Sequence, residues 1–175
     1  FAAYDNNPDV RAEAADLLSH IKITTTLQQA VEDAELVILA VPVGVMQQVI
    51  KDIAPYLRPG CVITDTGSTK RSVIRDVLPF VPEACNFIPG HPLAGTEFSG
   101  PAAGFASLFE KRYWLILPNG SPEDKVAGLA TFLSDLGAMV ETMDADYHDR
   151  VLAITSHLPH LIAYTIVGTA VDLEQ

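Results

Sequence analysis

Leu36-Val37-Ile38-Leu39-Ala40-Val41-Pro42 is an unbroken apolar run stopped by a proline. A strand that is apolar at every position, rather than at alternate ones, predicts burial on both faces and hence a parallel sheet covered by helices. Beyond Pro42, Val45, Val49 and Ile53 recur at the spacing of four that marks one face of a helix. The alternation extends upstream. Residues 1–4 read as a strand, and Asn7-Pro8-Asp9 then supplies an N-cap, a proline at the first helical position and an acidic first turn. Val10, Ala14, Leu17 and Leu18 form that helix's apolar stripe, and a short strand is predicted over 21–24. Downstream, strands are predicted over 62–64, 86–89, 113–117 and 138–141. Helices fall over 69–78 and from Ser121-Pro122-Glu123-Asp124 to Gly137, a residue suited to a left-handed helix end. Beyond Asp144 no strand signal returns and the chain reads as helix. This is an α/β pattern, with a largely parallel sheet and right-handed crossovers.

The composition bounds the function. The chain has 175 residues, 49% hydrophobic and 19% charged, which supports a packed core and argues against disorder. Eleven basic against 22 acidic residues give a net charge of −11, so a nucleic-acid groove or an anionic membrane surface is not expected. The longest apolar run, Leu36 to Met46, is too short to span a bilayer. Two cysteines, Cys61 and Cys85, are too few for a disulfide scaffold and fit a reducing, cytoplasmic setting. The chain opens on Phe1 without a methionine and closes inside a helical pattern at Gln175, so it reads as an excerpt of a longer polypeptide.

In open α/β sheets, ligands bind beyond the carboxyl ends of the strands. Those ends carry Asp5, Val41-Pro42-Val43, Asp65-Thr66-Gly67-Ser68 and Gly90-His91-Pro92. Asp5 suits the adenosine ribose hydroxyls of a dinucleotide and would repel a 2′-phosphate, which favours NAD over NADP. It equally suits a cap for the next helix, and the supporting Gly-rich loop is absent from the sequence. In Asp65-Thr66-Gly67-Ser68-Thr69-Lys70, Gly67 allows a close backbone approach, and Ser68 or Thr69 can cap the following helix. Ser68 could otherwise relay a hydrogen bond between a substrate hydroxyl and a base. His91, on what reads as a rigid loop between Gly90 and Pro92, suits a general base because its ordinary pKa lies near working pH. A last cluster joins His148-Asp149 to Ser156-His157-Leu158-Pro159-His160, where His157 and His160 share a helix face and Pro159 bends it. Such a cluster could bind zinc, but no further ligand completes a site, so no metal is assigned.

On Asp65 to Lys70, on Gly90-His91-Pro92-Leu93-Ala94-Gly95-Thr96-Glu97-Phe98-Ser99-Gly100, and on the His148 and His160 motifs, the chain resembles the prephenate/arogenate dehydrogenase family of tyrosine biosynthesis. The resemblance runs over essentially the whole chain. It implies a doubly wound, Rossmann-type dinucleotide-binding domain over 1–143, its first strand and Gly-rich loop not within the chain. Over 144–175 it implies the start of an all-helical substrate and dimerisation domain, and hence a homodimer. It further implies NAD(P)-dependent oxidative decarboxylation of a cyclohexadienol, with His91 and Ser68 catalytic. Thr96, Glu97, His148 and His160 would then bind substrate, and Asp5, Val41, Pro42, Thr66 and Gly67 would hold NAD. The resemblance also implies that the family's carboxylate-binding arginine falls past Gln175; Arg150 and Lys70 are poorly spaced to replace it. The competing readings are a hydroxyacid-type dehydrogenase, which usually needs a lysine beyond Lys125, and a metal-dependent hydrolase using His148, Asp149, His157 and His160. A nucleotide-binding regulatory domain without chemistry is the third, and His91 together with Ser68 argues against it.

Overall fold

The computed structural model describes residues 1–96 and 98–173, with the side chains at 160, 168 and 170–173 outside that description. In chain order the first elements are β1 (Ala2–Ala3), α1 (Pro8–Leu17), β2 (Lys22–Ile23), α2 (Leu27–Val31) and β3 (Leu36–Leu39). They are followed by α3 (Met46–Ile53), β4 (Val62–Asp65), α4 (Lys70–Val77), β5 (Asn86–Phe87) and β6 (Gly90–Pro92). The chain continues through β7 (Tyr113–Ile116), α5 (Glu123–Asp135), β8 (Met139–Thr142) and α6 (Ala145–Leu152). A π-helical segment (Ala153–His157) then leads into α7 (Leu158–Leu173).

The capping chemistry acts as the sequence predicts at α1, where the Asn7 side chain accepts from the Asp9 amide and Pro8 opens the first turn. Gly137 takes φ 86° after α5, closing the helix in the left-handed region. Three differences follow from physical causes. Helix α2 lies in a stretch left without a predicted element, its N-terminus capped by Thr26, which accepts from the Gln29 amide. Gly90-His91-Pro92 is not a loop but the strand β6, antiparallel to β7 with His91 opposite Leu115. It lies at the outside of its sheet, where Pro92 interrupts no further ladder. Strand β3 is buried on one face only along its length: Val37 and Leu39 are covered, whereas Ile38 is 39% exposed.

Among the described residues the strands form three hydrogen-bonded groups, β1-β2, β3-β4-β5 and β6-β7-β8. Every pairing is parallel except β6 with β7. One core packs Val37, Leu39 and Ile63 against Met46, Ile50 and Val73 of α3 and α4. A second packs Trp114 and Ile116 against Leu129 and Leu133 of α5, and it reaches the far side of β3 at Leu36. Cys61 and Cys85 are buried free thiols. Burial pushes Cys61 up to about 11, so it stays protonated. No described helix is long and apolar enough to cross a membrane.

Candidate active site

The carboxyl end of β4 is organised by Asp65, which is fully buried. One of its oxygens, Oδ2, accepts from the Gly67 amide at 2.8 Å and from the Lys70 ammonium, and Oδ1 accepts from the Gly90 amide at 3.1 Å. Lys70 is also fully buried, and its ammonium donates to the Gly90 carbonyl as well. Gly67 is a glycine for internal reasons. A Cβ there would lie 2.9 Å from Asp65 Oδ2 and 3.0 Å from a Val43 methyl. The backbone approach expected at this residue is therefore toward the protein.

Thr69 occupies the N-cap position of α4 without a capping hydrogen bond, and its hydroxyl pairs with Ser72 instead. Asp149, on α6, takes over the cap, accepting from the amides of Lys70 at 2.7 Å and Arg71 at 3.0 Å. Burial alone would raise this carboxyl, but the two amides and the His148 ring hold it below the ordinary range, so it is a carboxylate.

That charge fixes the tautomers of two histidines. His148 Nδ1 lies 2.8 Å from Asp149 Oδ1, and an ionised carboxylate can only accept, so Nδ1 carries the proton. Burial lowers the His148 pKa against the pull of Asp149, which leaves the ring neutral and Nε2 unprotonated. His148 Nε2 lies 2.9 Å from His91 Nδ1, so His91 donates there through Nδ1–H. Burial first, then His148, Lys70 and His157, push His91 down to about 4 against the opposing pull of Asp149. His91 is thus neutral at physiological pH, with its proton on Nδ1 and no partner for Nε2 among the described residues. It is a base with its orientation set by a carboxylate two links away, the logic by which a buried aspartate orients a catalytic histidine.

The sequence-nominated residues divide accordingly. Ser68 is exposed, and its hydroxyl has no partner among the described residues. His148 is fully buried with both ring nitrogens taken by protein, so the direct substrate contact expected of it is replaced by contact with His91. Asp5 lies two residues beyond β1, exposed, with Oδ1 accepting from the Asn7 amide and the other oxygen unpartnered among the described residues. Arg11 donates to the Asp5 backbone carbonyl and lies over the Tyr4 ring. Val41 and Pro42 form the turn after β3, and the Thr66 amide donates to the Leu39 carbonyl beside them. Thr96 is exposed and accepts from the Phe98 amide. Glu97 and the His160 side chain lie outside the described residues. The four-residue metal set does not assemble: His148 and Asp149 bond each other, and His157 is exposed. Among the described residues no group of three His, Cys, Asp or Glu side chains could hold a metal. Sequence reasoning missed Asp65, Lys70 and Asp149 as organisers, because the contacts that tie the elements together, from Asp65 and Lys70 to Gly90 and from Asp149 to the start of α4, are remote in sequence.

The family model described as "Prephenate dehydrogenase, nucleotide-binding domain" matches residues 1–142, and that described as "Prephenate dehydrogenase, dimerization domain" matches 144–175. The cyclohexadienyl dehydrogenase of Zymomonas mobilis is 41% identical over 173 residues, covering 98% of this chain and 59% of that protein. The prephenate dehydrogenase of Lactococcus lactis is 37% identical over 148 residues, covering 83% of this chain and 40% of that protein. A crystal structure of Aquifex aeolicus prephenate dehydrogenase in complex with hydroxyphenyl propionate and NAD+ superposes with a TM-score of 0.88. It is 30% identical and covers 98% of this chain and 60% of that one. The chain thus spans 59% and 40% of the length of these two curated relatives.

Proposed function

The chain belongs to the prephenate dehydrogenase family, and we propose that the protein catalyses NAD-dependent oxidative decarboxylation of prephenate, arogenate or both, in tyrosine biosynthesis. The observation that carries the reading is the neutral His91, held through Nδ1 by the His148–Asp149 pair at the ligand edge of an α/β sheet, with Nε2 unpartnered among the described residues. NAD, when bound, supplies the hydride acceptor. His91 Nε2 accepts the hydrogen bond of the ring hydroxyl and takes its proton as the carbonyl develops. Loss of the ring carboxylate as carbon dioxide aromatises the ring, and the phenolic oxygen recovers the proton from His91. Ser68 bridges the hydroxyl and His91, and Thr96 with Glu97 lines the pocket mouth. His160 contributes to substrate binding, while His148 acts from behind His91. Lys70 is not free to clamp a substrate carboxylate, since its ammonium is buried on Asp65 and Gly90.

The strand ends fit a nicotinamide dinucleotide. Asp5 offers a carboxylate oxygen to the ribose hydroxyls, and Val41, Pro42, Thr66 and Gly67 form the neighbouring turns. A carboxylate at Asp5 repels a 2′-phosphate, hence NAD before NADP. Residues 1–143 make up the nucleotide-binding unit, and 144–175 begin the helical substrate and dimerisation unit. The metal-dependent hydrolase alternative draws no support from the site, and no observation favours a hydroxyacid-type dehydrogenase.

The test is nicotinamide reduction by the full-length protein with prephenate and with arogenate, each with NAD and NADP. NAD-linked turnover is expected with at least one substrate, and His91→Asn should lower kcat by about 1,000-fold. Unchanged turnover in His91→Asn, or none with either substrate, would overturn the reading.

A further inference from the structure

Ser68 and His91 stand on different elements. Among the described residues no strand ladder joins β4 to β6, and pairing with β4 ends where the Ile88 amide donates to the Ile63 carbonyl beside β5. Sheet pairing therefore brings the two chains side by side but leaves the last step, from Asp65 to Ser68 and from Ile88 to His91, to other contacts. What spans the gap is the buried Asp65–Lys70 ion pair. Asp65 holds the amide of Gly67, the residue before Ser68, and the amide of Gly90, the residue before His91. Lys70 holds the carbonyl of Gly90. Both backbone polar groups of Gly90 thus end on one ion pair, and that pair also anchors the loop carrying Ser68. The fit leaves no slack. A Cβ on Gly90 would lie 2.7 Å from the Asp65 carbonyl, 2.8 Å from Thr64 Oγ1 and 3.0 Å from Trp114 Nε1.

A fully buried ion pair is a poor choice for stability alone, because an apolar pair of similar volume generally does as well or better. An ion pair fixes directions that an apolar contact leaves loose. We propose that Lys70 and Asp65 are positioning residues for the reaction: together they set the Ser68 hydroxyl and the His91 imidazole in register across the β4–β6 gap. The proposal rests on the dehydrogenase reading above. Lys70 acts through Asp65 and Gly90 on His91 and touches no substrate.

Among the described residues the groups whose charge acts on His91 are His148 and Asp149 from α6, Lys70 from α4 and His157 from the π-helical segment. Lys70 disfavours a charge on His91. Replacing it with an uncharged side chain should therefore raise the His91 pKa, while a contact that only fills space would leave it unmoved.

The experiment uses the full-length protein with Lys70→Met, Asp65→Asn, His91→Asn and the double variant Lys70→Met/His91→Asn. Lys70→Met is expected to lower kcat by about 100-fold, the scale of a misplacement near 1 Å, with KM for substrate and nucleotide nearly unchanged. In the His91→Asn background the same change should cost less than about twofold, because residues that act through one another are non-additive. Nitrogen NMR titration of His91, which needs no substrate, should show its midpoint rising in Lys70→Met. Equal losses from Lys70→Met with and without His91, or an unmoved His91 titration, would overturn the proposal. Asp65→Asn keeps the shape and one acceptor, and it should reproduce the kcat loss. If Lys70→Met does not fold, full activity in a folded Asp65→Asn overturns the proposal and a selective kcat loss supports it. Should the unmodified protein turn over neither substrate, the functional reading falls, while the titration still decides whether Lys70 tunes His91.

Discussion

At the scale of single residues, the chemistry turns on which nitrogen of His91 carries a proton. Asp149 decides it through the single ring of His148, because an ionised carboxylate can accept a hydrogen bond but cannot donate one. The same burial that keeps His91 neutral makes the fold sensitive to acid. An unfolded histidine titrates near 6.5, and His91 in the fold near 4. Between those values the unfolded chain binds a proton that the folded chain refuses, so stability falls as pH falls through this window and is flat for this group above it. The loss from His91 approaches about 3 kcal/mol by pH 4, and His148 acts in the same direction. Urea unfolding at pH 7 and pH 4.5 should show His91→Asn losing about 2 kcal/mol less than the unmodified protein. Equal losses would mean that His91 is not held neutral by the fold.

At the scale of elements, α4 is capped from outside its own sequence. Thr69 stands at the N-cap position, but the amides of Lys70 and Arg71 donate to Asp149 on α6. Thr69→Ala should therefore cost under about 0.5 kcal/mol, against about 2 kcal/mol for Asp149→Ala, which leaves a helix terminus and a buried histidine without partners. Thermal melts of the two variants check this, and a larger loss at Thr69 would contradict it. Asn7-Pro8-Asp9 was legible because cap, proline and first turn are neighbours, and β4 with α4 because their periodicities are local. Helix α2 carried a readable sign, since Thr26 with Gln29 three residues on is a capping-box pattern. Strand β6 carried none. A glycine, a histidine and a proline have no strand propensity in common, and only pairing with Tyr113–Ile116 makes them a strand. His91 and Ser68 could be nominated because strand ends are predictable. The pairing of Asp149 with residues 78 and 79 positions away could not, because no local pattern encodes it. The π-helical segment is intermediate. Pro159 announces a disturbance, having no amide for the carbonyl of Thr155, but not that the helix widens over Ala153–His157 rather than kinking.

At the scale of the whole molecule, α7 leaves Leu161, Ile162, Tyr164, Ile166 and Val167 at least half exposed. A helix with exposed apolar side chains all round it calls for partner surfaces, and this part of the chain matches a dimerization domain. Light scattering of the full-length protein should give twice the subunit mass, and Ile162→Glu with Val167→Glu should weaken that association. A monomeric mass for the unmodified protein would refute the homodimer.

Asp149 lies in the segment matched by the dimerization domain, whereas the helix end it caps and the histidine it orients through His148 lie in the segment matched by the nucleotide-binding domain. The two segments therefore work as an interlock. A hinge motion that lifted α6 from α4 would break the amide contacts and release His148 in the same stroke, leaving His91 free to change tautomer.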